Sequence, residues 1–292
     1  MESTLDCIVC FVRQALDAAR MVSADSSVHE EIVREVLQWT AAMDLRMPPP
    51  VLGQRIHRRL RKISGNRDPY RAIKAQSNRM ALELMPDLKK AVEAAPASLI
   101  MALRLALAGN VIDMGVSSTI SSADIQGAVD TALTEPLVGP LATFRMALHE
   151  AHNILYLADN AGEIIFDRLL IEQLGPERVT VAVRGAPVIN DATLEDATEA
   201  GLDDLVPVVD NGSDAPGTLL DDCSETFRRR FDSADLIIAK GQGNFESLSS
   251  AKRNIFFLFK VKCSVIASHV GLPQGTHVLA MPKIQAPVHE NF

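Results

Sequence analysis

The sequence predicts an α/β protein: a helical N-terminal domain followed by a mostly parallel sheet covered on both faces by helices. Two observations carry this expectation. In the first half, apolar residues recur at spacings of three and four, the signature of amphipathic helices. From about residue 151 the pattern changes to short runs rich in Val, Ile, Leu and Phe, separated by helical stretches, which implies βαβ units and a mostly parallel sheet.

Taken in order, Cys7-Ile8-Phe11-Val12-Ala15-Leu16-Ala19 and Ile32-Val33-Val36-Leu37 carry the helical period. Pro48-Pro49-Pro50 breaks the chain between helices, and Asp68-Pro69-Tyr70 reads as a helix start. Residues 99–108 are strongly apolar until Gly109-Asn110-Val111-Ile112-Asp113-Met114-Gly115 interrupts them. The predicted strands are 153–158, 179–183, 205–209, 236–239 and 255–259, with 277–281 as one more; 163–173 and 191–200 are helical connections. This divides the chain into an all-helical domain at 1–150, an α/β domain at 151–285 and a loose tail at 286–292.

Composition narrows the function classes. With 292 residues, 47% hydrophobic and 23% charged, the chain has ample material for a core. A formal charge of −8 and a pI near 5.4 argue against general nucleic-acid binding. The one basic stretch, Arg55-Ile56-His57-Arg58-Arg59-Leu60-Arg61-Lys62, reads as a solvated helix face rather than a polyanion site. No apolar run approaches the roughly 18 residues that span a membrane. Glu2 and Asp6 precede any apolar segment, which is unlike a signal peptide, so the cytoplasm is the expected compartment. Cys7 and Cys10 form a CxxC, whereas Cys223 and Cys263 stand isolated. A structural zinc site needs a second ligand pair at short spacing, and the helical surroundings are not those of a thioredoxin motif.

In an open parallel sheet, ligands bind beyond the carboxyl ends of the strands. Those ends read Asp159-Asn160, Arg184-Gly185 leading to Asn190-Asp191, Asp210-Asn211, Lys240-Gly241, and Lys260 and Lys262. Acids and amides come from the earlier strands and lysines from the later ones. A divalent cation needs oxygen donors and a phosphate needs ammonium groups, so the edge as a whole points to metal-assisted phosphate chemistry. Any single Asp or Asn there also suits a helix N-cap; the conjunction is what carries the reading. Gly241-Gln242-Gly243 resembles the opening of a dinucleotide fingerprint, but Glu246 stands where the third glycine belongs. His149 and His152 lack the HExxH spacing, and neither a P-loop nor a GxSxG elbow occurs.

Four ordered motifs, Leu157-Ala158-Asp159-Asn160-Ala161-Gly162-Glu163, Arg184-Gly185-Ala186-Pro187-Val188-Ile189-Asn190-Asp191-Ala192-Thr193, Lys240-Gly241-Gln242-Gly243-Asn244-Phe245-Glu246 and Phe259-Lys260-Val261-Lys262-Cys263, resemble the DUF89 family of metal-dependent damage-control phosphatases. Cys7-x-x-Cys10, Asp68-Pro69-Tyr70 and Gly109-Asn110-Val111-Ile112-Asp113 resemble its CxxC-bearing prokaryotic branch. The resemblance implies a helical region packed on a Rossmann-like α/β/α sandwich, and a divalent metal (Mg, Mn, Co or Ni) held by Asp159, Asn160 and Asp191. It implies phosphate contacts from Lys240, from Gly241, Gly243 and Asn244 of the following turn, and from Lys262. Lys262 is preferred over Lys260 because it sits directly before the small residue that opens the next helix. Glu163 either orients water or is an ordinary first-turn acid, and Asn110 and Asp113 are candidate substrate contacts from the helical half. The implied substrates are small phosphorylated metabolites, sugar phosphates as a class. Two rivals accompany this reading: a carboxyl methyltransferase using S-adenosylmethionine, which the missing glycine-rich first loop disfavours, and a non-catalytic metal or redox module built on Cys7 and Cys10.

Overall fold

The computed structural model describes residues 1–109, 127, 130 and 136–282. Helices α1 (Leu5–Val22), α2 (Ser26–Ala41), α3 (Pro49–Ser64), α4 (Arg71–Ala94) and α5 (Ser98–Ala108) come first. The rest runs β1 (Leu137–Val138), α6 (Leu141–Glu150), β2 (Ile154–Leu157), α7 (Glu163–Leu174), β3 (Val179–Val183), α8 (Leu194–Glu199), β4 (Val208–Asp210), α9 (Glu225–Ser233), β5 (Leu236–Lys240), α10 (Gly241–Leu248), β6 (Ile255–Lys260), α11 (Ser264–Val270) and β7 (His277–Ala280). Among the described residues, no helix is long and apolar enough to cross a membrane.

Local chemistry sets several of these limits. Pro49 and Pro50 occupy the first turn of α3, where a missing N–H costs nothing, and Gly65 ends that helix at a left-handed φ of 66°. Helix α8 starts later than the apolar pattern of 191–200 suggests, because Thr193 forms a capping box with Asp196. The strand expected at 205–209 starts only at Val208, since the amides of Leu205 and Val206 turn back onto the Leu202 carbonyl.

The sheet has seven strands in the order β1-β7-β6-β5-β2-β3-β4. Strands β2 to β6 are mutually parallel, β7 is antiparallel to β6, and β1 pairs parallel to β7. The two-residue β1 thus lies in the half that periodicity assigns wholly to helices. Side chains alternate between two cores, as a pleated strand requires. Leu236 and Ile238 of β5 join Ile154 and Tyr156 beneath α4, α5, α6 and α7, whereas Ile237 and Ala239 join Leu155 and Phe257 beneath α9, α10 and α11. Phe144 of α6 packs edge-on against Phe256 of β6. The core therefore does not divide at residue 150: α4, α5 and α6 share one apolar cluster with the sheet. Only α1, α2 and α3 have a cluster of their own, around Phe11, Ala15, Ile32, Val36, Ile56 and Leu60.

The basic face of α3 is not the solvated surface expected of it. Arg58 pairs with Asp214 at 2.6 Å and with Asp222 at 3.2 Å, and Arg61 reaches both Asp214 and the Pro187 carbonyl. Arg59 pairs with Glu31 and Glu35, and Arg55 lies over the Trp39 ring. One face of α3 therefore fastens the helical layer to the loops after β3 and β4. Burial would raise the Asp214 carboxyl, but hydrogen bonds from Arg58 and Gln54 outweigh it and hold that group below its usual range.

His57, on the same helix, is buried against Tyr70 with its Nε2 unpartnered. Burial, with the Arg61 charge, lowers its pKa to about 3. The unfolded chain takes up a proton near the ordinary value of 6.5 and the folded chain does not, so stability is full above pH 6.5 and falls as pH drops towards 3. We expect His57→Phe to remove a slope worth up to a few kcal/mol across that window, read from denaturant midpoints at pH 7, 5 and 4. An unchanged slope would show that His57 charges in the folded state.

Candidate metal and phosphate site

The chain enters the sheet core at β2, adds β3 and β4 on one side, then returns to add β5 and β6 on the other. The strand order therefore reverses between β2 and β5, where an open α/β sheet leaves a crevice at its carboxyl edge. Asp159 and Asn160 follow β2, and Lys240 and Gly241 close β5.

Main-chain bonds bring a second loop to this crevice. Ala192 N–H donates to the Asp159 carbonyl and Ala161 N–H to the Asn190 carbonyl, both at 2.8 Å, and Asn160 and Asp191 form an isolated antiparallel bridge. Asp159, Asn160 and Asp191 thus become neighbours, all buried. Ile189, two residues before Asp191, adopts φ 46°, which is costly for a β-branched residue and leaves local strain in this loop. Asn160 Nδ2 donates to Asp159 at 2.9 Å and to Glu163 at 3.1 Å, so its Oδ1 is the amide atom left for a cation. Gly241, at φ 79°, must lack a side chain because a Cβ there would overlap the Asp159 carboxylate.

Arg184 stands among these groups and belongs to the site although its sequence position gave it no role. Its Nε donates to Asp191 Oδ2 at 2.6 Å, its Nη2 lies 3.6 Å from Asp159 Oδ1, and its Nη1 faces Asn244 Oδ1 at 3.3 Å. Asn244 is fixed in turn by Thr218, at 2.8 Å, and by the Lys240 carbonyl, at 2.8 Å. Asn244 is fully buried, and Gly243 packs against Pro216 and Gly217. Asn78 of α4, another buried residue the sequence did not single out, accepts from Gly162 N–H at 2.7 Å and donates to Asp196 at 3.1 Å, holding the loop that starts α7.

Lys240 departs from the role expected of it. It shares a strand face with Leu236 and Ile238, so its side chain passes under α7 rather than outward from the sheet edge. There its ammonium is fully buried, donating to Glu163 at 2.5 Å, Asp167 at 2.6 Å and the Ala106 carbonyl at 2.8 Å. Burial alone would lower its pKa, but Asp167 and Glu163 hold it above the ordinary range. Burial raises Asp167 to about 6 despite Lys240, and the neighbouring Tyr156 phenol is pushed well above its usual value by burial and by Asp167. Glu163 is thereby an internal residue, bonded to Lys240 and Asn160, rather than a solvated first-turn acid. Lys262 is exposed at the rim, its N–H bonded to Gln242 Oε1 at 3.2 Å, and its charge reaches Asp159. Lys260 lies on β6 opposite His277. Asn110 and Asp113 lie outside the described residues.

The donor set fits a hard divalent cation. Four buried carboxylates, Asp159, Glu163, Asp167 and Asp191, face two buried cations, Arg184 and Lys240. Carboxylates gathered in a buried cluster are expensive unless compensated. The carboxyl of Asp159 is accordingly pushed well above its usual range by burial and by Glu163 and Asp191, against Arg184 and Lys262. Among the described residues, no three His, Cys, Asp or Glu side chains group as a cage; the set here is two carboxylates and an amide.

Partial burial, then Cys263 and Cys7, raise the Cys10 thiol, and Cys263 accepts from Gln242 Nε2 at 3.7 Å. Cys10 is thus within electrostatic range of Cys263, a relation no sequence spacing could disclose.

The profile of the Damage-control phosphatase ARMT1-like domain matches residues 3–278. The chain is 35% identical over 288 residues to the Uncharacterized protein MJ0202 of Methanocaldococcus jannaschii, covering 94% of this chain and 93% of that protein. It is 33% identical over 291 residues to the Damage-control phosphatase PH1575 of Pyrococcus horikoshii, covering 98% and 100%, and 33% identical over 278 residues to a Damage-control phosphatase of Archaeoglobus fulgidus, covering 93% and 96%. The crystal structure of the DUF89 family protein PH1575 superposes with a TM-score of 0.88 over 97% of this chain and 100% of the other, at 33% identity. With a matching profile across nearly its whole length and relatives of the same extent, the chain belongs to the ARMT1-like damage-control phosphatase family, DUF89.

Proposed function

We propose that this protein is a divalent-metal-dependent phosphomonoester hydrolase acting on small phosphorylated metabolites, sugar phosphates as a class. The observation that carries the reading is the gathering of the buried oxygen donors Asp159, Asn160 and Asp191 at the strand-order reversal. Asp159, Asn160 and Asp191 would hold the ion. When bound, it would polarise the phosphoryl group and acidify a water molecule. The protein's own groups do the rest. Lys262, at the rim, supplies a positive charge for the phosphoryl oxygens. Asn160 fixes the Asp159 and Glu163 carboxylates relative to one another, and Glu163 is held by Lys240 so that it can orient water without shifting. Gly241 lets the main chain approach Asp159 closely, and Asn244 holds the Arg184 guanidinium in place.

The test is a screen of the chelator-treated protein against p-nitrophenyl phosphate and a panel of phosphorylated metabolites, with Mg²⁺, Mn²⁺, Co²⁺ and Ni²⁺ added separately. We expect turnover to vanish on chelation and to return with at least one of these ions. Turnover indifferent to chelation would refute the metal dependence, and no hydrolysis of any phosphomonoester with any ion would refute the phosphatase reading.

A further inference from the structure

Arg184 engages the two carboxylates that the proposed metal site requires. Its Nε bonds Asp191 Oδ2 at 2.6 Å, and its Nη2 lies 3.6 Å from Asp159 Oδ1 with no hydrogen-bond acceptor. The side chain is 2% exposed, so water neither screens its charge nor replaces its partners. Its remaining nitrogen is held by Asn244 at 3.3 Å, and Asn244 is itself fixed by Thr218, so the guanidinium is anchored from behind while its other two nitrogens face the carboxylates. A planar fork of this kind suits bridging two carboxylates, and a lysine could not reproduce it.

We infer that Arg184 is an internal counter-ion that competes with the divalent cation for Asp159 and Asp191, and so sets the metal affinity of the site. This rests on the metal-dependent reading above. The reasoning is one of shared lone pairs and like charge. An Asp191 oxygen that accepts a charge-assisted bond from Nε is a poorer ligand, and a cation entering between the two carboxylates meets a fixed positive charge a few ångströms away in a poorly screened region. Metal binding must therefore either shift the guanidinium away from Asp191 or proceed against its field. The arrangement keeps two buried acids paired while no ion is bound and tunes affinity downward, which favours exchange of the ion over permanent retention.

Calorimetric titration of Mn²⁺ into chelator-treated wild type, Arg184→Gln and Arg184→Lys tests this. Arg184→Gln should bind Mn²⁺ at least about tenfold more tightly than wild type, the effect of removing a like charge at this range, while Arg184→Lys, which keeps the charge but not the fork, should fall between the two. Mn²⁺ should also raise the melting temperature of Arg184→Gln by more than it raises that of wild type. Equal or weaker binding by Arg184→Gln, with wild type binding normally, overturns the counter-ion role and leaves the metal site standing. Failure of wild type itself to bind any of Mn²⁺, Mg²⁺, Co²⁺ and Ni²⁺ overturns both. Should Arg184→Gln not fold, the Arg184 Nε–H resonance of wild type decides the matter during a Mg²⁺ titration: a large shift at saturation supports competition, and an unmoved resonance overturns it.

Discussion

Asp159→Ala, Asn160→Ala and Asp191→Ala should each lower metal-dependent phosphomonoester hydrolysis on the order of a thousandfold, the scale of losing a group that organises transition-state charge. The three differ in what they do to the fold. Asp191 is the partner of Arg184 Nε, so Asp191→Ala leaves a buried guanidinium short of its nearest acceptor and should destabilise the protein. Asp159 instead crowds Glu163 and Asp191, and its removal relieves like-charge repulsion. Asp159→Ala should therefore melt at or above the wild-type temperature while being inactive, the trade of stability against function typical of a site residue. Turnover measured after metal stripping and reconstitution, beside melting curves of the same samples, checks both. Near-wild-type turnover in any one variant would remove that residue from the metal site, and a large fall in melting temperature for Asp159→Ala would contradict the repulsion described.

Lys240→Met should cost about 3–5 kcal/mol of folding stability, the range found when one partner of a buried ion pair is removed. The loss would come from Glu163 and Asp167, which retain their oxygens beneath α7 without the ammonium that bonds both. The pH dependence gives the sign. Burial already raises Asp167 to about 6 with Lys240 present. Without it the carboxyl is protonated more readily still, so the penalty should be largest near pH 8 and shrink towards pH 5 as Asp167 becomes neutral. Adding Glu163→Gln and Asp167→Asn to Lys240→Met should recover part of the loss, because the uncompensated charges are then gone. Denaturant unfolding at the two pH values is the measurement. A penalty under about 1 kcal/mol, or one that ignores pH, would mean Lys240 is not locked in this triad.

These two cases mark the line between what sequence and tertiary structure each decide. The short runs at 179–183, 236–239 and 255–259 read correctly as strands because they are almost wholly apolar, and a strand buried on both faces admits little else. Their parallel order placed Asp159, Asn160, Asp191 and Lys240 at one end of the sheet before any coordinates, since every parallel strand presents its carboxyl end to the same edge. The family motifs were legible for the same reason: they are contiguous in the chain.

What needed the fold is whatever depends on which helix covers which face. The parity of Lys240 with Leu236 and Ile238 is visible in the sequence, and so is the four-residue spacing of Glu163 and Asp167. That these two patterns meet is decided only by α7 crossing over β5, which turns an expected phosphate ligand into a buried brace. Arg184 stands at a strand end in the sequence, but a lone arginine there carries no signal until the 191 loop folds back onto Asp159. The basic run on α3 reads as solvated in the sequence because its acidic partners Asp214 and Asp222 lie more than 150 residues away along the chain. The sequence by itself determined the element types, the functional edge of the sheet and its inventory of oxygens and cations. Tertiary structure alone decided which of those charges pair with one another and which remain for a ligand, because in a buried cluster pairing is fixed by distances of a few ångströms between residues that are remote along the chain.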